Sequence, residues 1–577
     1  MLTGYPRPQL ERDNWVNLNG TWRFAFDDAD KGENEKWYDA FPSDTLEIQV
    51  PYTYETKLSG IGEEKFHPVV WYQKEVELHS KQKHMLLHFE GVDYVAKIWV
   101  NGCFAGIHTG AYARFTCDIS KYIKEGSNVI VVRAEDSDSC VQPRGKQRWK
   151  SENFGCWYVQ TTGIWKTVWM EAVDASYIES VKITPDIDRA VVKYEVKLHK
   201  WLQENVKLAC EITLDDKKVT TCELEADTEY VTFELSVANP DEPWQMAVWS
   251  PQNPRLYRTV LRLEAGAERD EVKSYFGMRK IEIKGDKILL NNLPLYQRLI
   301  LDQGYWEESH LTPPSEEAII KDIDLILAAG YNGLRKHQKV EDERFLYWCD
   351  VKGVLVWCEM PSQYTYNDDV VEHYTKEWME IVRQNYNHPC VITWTAFNES
   401  WGVEKIYTNK NQQKFTEGIY HLTKAYDTMR PVIVNDGWEH TVSDILTLHD
   451  YEEKGITFGV RYENKDAIVN GKIPFNRDRY AFAKGYEYKG QPVLISEYGG
   501  IAFSAESGWG YGTQVKNEDE FINRFRGITT AIKNLDYSVG FCYTQVTDVQ
   551  QEINGLYTIK REPKVDIEKI RKINMED

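Results

Sequence analysis

Apolar and polar residues alternate in short runs over the first half of the chain, and this texture gives way to longer apolar runs in the second half. From about residue 13 to 173, runs such as WYQKEVEL, AKIWVNG and NVIVVRAED are separated by Gly, Asn and Asp turns. Period-two segments at that spacing predict an antiparallel β-sandwich of the jelly-roll kind. From 176 to 283, YIESVKITP, AVVKYEVKL and YRTVLRLEA repeat the pattern over the length of one immunoglobulin-like sandwich. After KGDKILLNNLPLYQRLI the runs lengthen and alternate with helix-period segments. Strands are predicted at LYQRLIL, YNGLRKH, VLVWCEM, VITWTAFN, RPVIVND, DILTLHD, PVLISEY and SVGFCYT. Amphipathic helices lie between several of them, as in PSEEAIIKDIDLILAAG, where Ser315 can cap the start and Gly330 can end the helix. Eight strand units with intervening helices predict a (β/α)8 TIM barrel. The expected domains are a jelly-roll sandwich over 1–175, an immunoglobulin-like sandwich over 176–283 and a barrel over 284–577.

Length agrees with this division, because 577 residues exceed what one core can organise. The 90 acidic against 69 basic side chains leave a net charge of −21, which argues against a phosphate-binding surface and so against nucleic acid as a partner. No apolar run reaches the length of a membrane span, and the N-terminus lacks a basic segment followed by an apolar one, so a cytoplasmic location is expected. Ten cysteines are scattered without CxxC pairs, which predicts buried free thiols rather than a disulfide framework or zinc ribbon. No cofactor and no metal site is expected.

Two predicted strands end on glutamate. VITWTAFNES, the fourth, ends at Asn398 and Glu399; PVLISEYGG, the seventh, ends at Glu497. Barrel active sites are assembled at the C-terminal ends of the strands, so these two carboxyl groups are expected in one mouth. A carboxylic acid beside a carboxylate can hydrolyse a glycosidic bond, one protonating the leaving oxygen while the other attacks the anomeric carbon or activates water there. Their environments must differ, so that one stays ionised while the other keeps its proton.

Around these residues the chain resembles glycoside hydrolase family 2. HPCVITWTAFNESWG is similar to its acid/base motif, PVLISEYGG to its nucleophile motif, and NLNGTWRF and QTTGIWKTVWMEAV to its N-terminal sugar-binding sandwich. The resemblance implies Glu399 as general acid/base and Glu497 as nucleophile of a retaining double displacement. It implies that Asn398 binds the substrate 2-hydroxyl and that Arg335 and His337, in YNGLRKH, stand in the pocket. Arg335 would hold the nucleophile ionised; the Arg-Lys-His spacing departs by one residue from the commoner Arg-x-x-His. Tyr451 is the candidate for a tyrosine beside the nucleophile. His449 and Asp450 could bind sugar hydroxyls or form a structural pair, and as neighbours on a strand they should face opposite ways. Asp302, Tyr305 and Trp306 are expected as subsite residues, and Glu359 and Trp438 as pocket-liners.

The family cleaves several sugars. Its glucuronidases bind the substrate carboxylate through an Asn-x-Lys motif after the eighth strand, where this chain reads Asn554-Gly555-Leu556, and the eighth strand tip, FCYTQVTD, lacks a tryptophan common there. By frequency within the family the expectation is a β-galactosidase-like exo-glycosidase acting on a terminal non-reducing sugar, an association and not a deduction from the pocket. The alternatives are an α-L-arabinosidase, a β-mannosidase or a non-catalytic carbohydrate-binding protein, and transfer to another sugar would share the same covalent intermediate. The partner expected is an oligosaccharide or other glycoside; homo-oligomers occur in the family, while no stretch of this sequence marks an interface.

Overall fold

A computed structural model describes residues 1–78, 84–199, 206–239, 245–473 and 478–576. Two β-sandwiches precede a parallel barrel. In the first, a six-stranded sheet (Leu46–Val50, Gly20–Phe26, Val69–Leu78, Gly126–Glu135, Val95–Val100, Cys103–Thr109) faces a four-stranded one (Trp15–Asn17, Val168–Val173, His84–Phe89, Phe115–Asp118). Trp22, Phe24, Tyr72, Leu87, Phe89 and Ile98 fill the space between them. In the second, a three-stranded and a four-stranded sheet enclose Tyr194, Leu208, Leu261 and Phe276. Its strand Val191–His199 buries every second side chain, which is the alternation that predicts a one-sided sheet.

The barrel strands are β1 (Gln297–Asp302), β2 (Gly333–Lys336), β3 (Leu355–Glu359), β4 (Val391–Asn398), β5 (Val432–Asp436), β6 (Leu446–His449), β7 (Val493–Gly499) and β8 (Ser538–Thr544). Parallel pairing runs in the order β5, β4, β3, β2, β1, β8, β7, β6. β2 to β7 are buried along their whole length, as expected of parallel strands covered on both faces. Helix α1 (Glu316–Ala328) is capped by Ser315, whose hydroxyl accepts from the Ala318 amide at 3.2 Å, and the chain leaves it through Gly330 at φ +84°. Helix α2 (Glu343–Lys352) follows β2. No helix of the described residues is long and apolar enough to cross a membrane.

Buried polar bonds lock the three units together. Arg12 pairs with Glu171 of the first sandwich and with Asp270 of the second, both at 2.9 Å. Arg279, at the end of the second sandwich, donates to the Pro389 and Val391 carbonyls at the base of β4. Residues 136–162 of the first sandwich form a long loop that lies across the barrel mouth. The amides of Arg144 and Gly145 donate to the Ser362 carbonyl, and Trp509 and Gln551 donate to the Gly155 carbonyl. Gly145 sits at φ +59°, and a Cβ there would stand 2.4 Å from the Gln338 carbonyl oxygen, so only glycine lets the loop approach this closely. Six of the ten cysteines are buried, Cys140, Cys156 and Cys222 are half-buried and Cys103 is exposed.

Candidate active site

Arg335, pointing inward from β2, organises the mouth. It donates to Glu359 (2.7 Å), Glu497 (2.6 Å) and the Asn398 side-chain oxygen (2.5 Å), and its Nε lies 2.8 Å from Asp436. Four strand tips thus converge on one buried guanidinium, whose planar fork suits several acceptors at once. Glu497 also accepts from the Tyr451 hydroxyl at 2.5 Å and lies 3.5 Å from His449 Nδ1. Burial alone would raise the pKa of Glu497, but His449, Arg335 and His337, helped by the Tyr451 bond, hold it down at about 2.

Glu399 stands beside it. The strand ends with Glu399 at φ +51° and Ser400 at φ +60°, a conformation side chains with a Cβ seldom adopt. Its neighbours enforce the turn: the Glu399 amide donates to the Asp436 carbonyl, and the Ser400 amide to the Asn435 side chain. A carboxylate oxygen of Glu399 and one of Glu497 come within 4.8 Å of each other, with a ring nitrogen of His449 inside the same distance of both. His449 Nδ1 is 2.8 Å from Glu399 and its Nε2 is 3.5 Å from Asp436. Burial works against charge on His449, yet Glu497 and Asp436, with its bonds to Asp436 and Glu399, raise its pKa to about 10. Imidazolium is its form at neutral pH.

Most of the expected residues meet here, in unequal roles. Asn398 leaves its Nδ2 buried and unpartnered beside the carboxylates, and Trp438, edge-on to His449 with ring centroids 5.7 Å apart, leaves its indole N–H likewise. Tyr451 also stacks on Tyr511. His449 turns inward while Asp450 turns toward Arg461, as strand alternation requires. His337 lies 3.0 Å from Glu359 and 6.2 Å, ring to ring, from Trp401. Three expectations need correction. Glu359 is fully buried and spends its oxygens on Arg335 and Gln338, so it holds the pocket wall rather than lining the cavity. Asp302 is in register with Lys336, both facing the helices, and it bonds Lys336 at 2.7 Å. Trp306 covers that same outer cluster, between Lys339 and Arg561.

Residues the sequence did not single out complete the mouth. Asp436, on the β5 tip, bonds Ser496 and faces Arg335 and His449. Gln303, beyond β1, donates to Gln545 and Glu552, and Glu552 also accepts from Tyr158 of the first sandwich. Asp436 ends a strand as Glu399 and Glu497 do, so the same rule would have found it; Tyr158 and Glu552 carry no local signal. Asp350, His388 and Cys390 also lie close enough together to hold an ion, at the base of β4. Asp350 there accepts from Tyr275, His388 and the Cys390 amide, bonds that tie the second sandwich to the barrel.

The three domains match family descriptions in order: the sugar-binding domain of glycosyl hydrolases family 2 over residues 15–170, its central domain over 176–279 and its TIM barrel domain over 281–576. The chain belongs to glycoside hydrolase family 2. A putative beta-glucuronidase of Formosa agariphila is 29% identical over 74% of this chain, which spans about half (51%) of that longer protein. A beta-galactosidase of Thermoanaerobacter pseudethanolicus is 25% identical over 86% of this chain and 68% of its own. The solved beta-glucuronidase of an uncultured Clostridium shares the fold with a TM-score of 0.78 at 19% identity, covering 98% of each chain.

Proposed function

We propose that this family 2 member is a retaining exo-glycosidase, with Glu497 as nucleophile and Glu399 as general acid/base. The observation that carries this reading is one carboxylate held ionised by Arg335, His449 and Tyr451 with a second carboxyl oxygen within 4.8 Å. Retaining enzymes place the pair about 5 to 5.5 Å apart, too close to seat a water between carboxylate and sugar, as inversion requires. Glu497 attacks the anomeric carbon and the glycosidic C–O bond breaks, while Glu399 protonates the departing oxygen. His449, 2.8 Å from Glu399, orients its carboxyl group. Water then attacks the glycosyl-enzyme ester, giving its proton to Glu399, and Glu497 is released. Asn398, with its free Nδ2, takes the 2-hydroxyl.

The expected galactoside rests on frequency within the family, whereas similar proteins are named glucuronidase more often than galactosidase, and the similar solved structures are named glucuronidase or galacturonidase. The sugar is therefore argued from the pocket below. The mechanism is tested with nitrophenyl β-glycosides. Glu497→Gln should lower turnover by roughly 10⁴-fold or more with the melting temperature preserved. Glu399→Gln should still release nitrophenol in a burst, a good leaving group needing no acid, and azide should restore the second step. An NMR spectrum showing the α-anomer as first product from a β-glycoside would overturn retention.

A further inference from the structure

Lys146 follows Gly145 in the loop that the first sandwich lays across the barrel mouth. The residue is only 6% exposed, and its ammonium stands 5.0 Å from the centre of the Trp401 ring, two residues beyond Glu399. Among the described residues no carboxylate comes within ion-pairing distance of that ammonium. Burial lowers its pKa, but Cys156 beside it and the carboxylates of Glu552 and Glu497 beyond contact together raise it. Glu552, the acid on the loop after β8, is engaged elsewhere: one oxygen accepts from Tyr158 and Gln303, the other from Asn554. Asn554 is itself tied to Gln545 at 2.7 Å, and the residues that follow it, Gly555 and the buried Leu556, bring no charge.

An enclosed ammonium with no carboxylate in contact is completed best by a ligand that carries an anion. A neutral sugar would leave Lys146 unpaired; a sugar with a carboxylate on C5 would complete it. We propose that Lys146 binds the carboxylate of a terminal uronic acid, so that the first sandwich, not the loop after β8, selects the substrate of the barrel. The proposal rests on the glycosidase reading for its context.

The test compares p-nitrophenyl β-glucuronide and β-galacturonide with the β-galactoside. A uronide should be the preferred substrate. Lys146→Met should lower the ratio of kcat/KM for that uronide over the galactoside by roughly 30- to 1000-fold, the scale for removing one partner of a buried charge pair. Lys146→Arg should recover much of the ratio. The same glycosides are titrated calorimetrically against Glu497→Gln with and without Lys146→Met, where a uronide should bind and lose affinity in the double variant. A ratio unchanged in Lys146→Met, or a galactoside bound as tightly as either uronide, overturns the proposal. Full turnover by Glu497→Gln would instead overturn the nucleophile assignment, leaving the calorimetric comparison to decide Lys146.

Discussion

Arg335 and Lys336 are neighbours on β2, and each anchors a buried ion cluster, one inside the barrel and one outside it. The outer cluster balances: Lys336 and Lys339 face Asp302 and Glu341, at 2.7 to 2.8 Å where they pair. The inner one does not. Arg335 and the protonated His449 face Glu359, Asp436 and Glu497, with Glu399 beside them. Each cluster has an indole N–H buried without a partner, Trp438 at the inner and Trp306 at the outer, and the inner one adds Asn398 Nδ2. A neutral cluster holds elements together; an excess of carboxylate is suited to face a cation. On the proposed mechanism that excess faces the positive charge that develops on the sugar in an oxocarbenium-like transition state.

Replacing the two cations separately would break this comparison most directly. Arg335→Met should lower kcat/KM by roughly 10²- to 10⁴-fold, the scale of a lost catalytic group. The remaining activity should show its acidic limb at higher pH, because Glu497 loses a charge that holds its pKa at about 2. Lys336→Met should instead lower unfolding free energy by about 3 to 5 kcal/mol, leaving Asp302 and Glu341 short of a counter-ion. Denaturant melts alongside kinetics of the folded fraction separate the two; a Lys336→Met enzyme that is stable but inactive would erase the distinction.

The same pair shows what could be read from the sequence. Eight strands and the two sandwiches were legible because period-two runs and buried apolar runs are local patterns. Glu399 and Glu497 were legible because a strand tip is also local. Asp302 was misread because its direction depends on register, and its partner across the ladder is Lys336, not Arg335. Applied to Asp302, the alternation that separated His449 from Asp450 would have turned it outward. Lys146 was invisible for a different reason: its loop belongs to another domain and reaches the mouth only after three units have packed, through bonds to the Ser362 and Gly155 carbonyls made by residues far apart in the chain.

A second comparison sharpens the first through pH. His449 in the fold has its pKa raised from 6.5 to about 10, so it binds a proton more tightly folded than unfolded. The stability it contributes is fully present below about pH 6.5 and is lost as pH rises through about 10. Melting temperatures of the wild type should therefore fall across that window more than those of His449→Gln. Equal slopes would show that the inner cluster does not hold this proton.

The smallest expected effect concerns Tyr451, whose hydroxyl is one of several groups keeping Glu497 ionised. Tyr451→Phe removes a hydrogen bond to a charged acceptor, which lowers kcat/KM by about tenfold. Burial already opposes ionisation of Glu497, and His449, Arg335 and His337 remain to counter it, so its pKa rises without reaching neutrality. The sign follows: the acidic limb of kcat/KM moves to higher pH, while the neutral plateau keeps its shape. A limb that stays in place while kcat falls would assign Tyr451 to orienting the carboxylate instead. That result would leave Arg335 and His449 as the groups that set the charge of the inner cluster, narrowing its contrast with the outer one to two side chains.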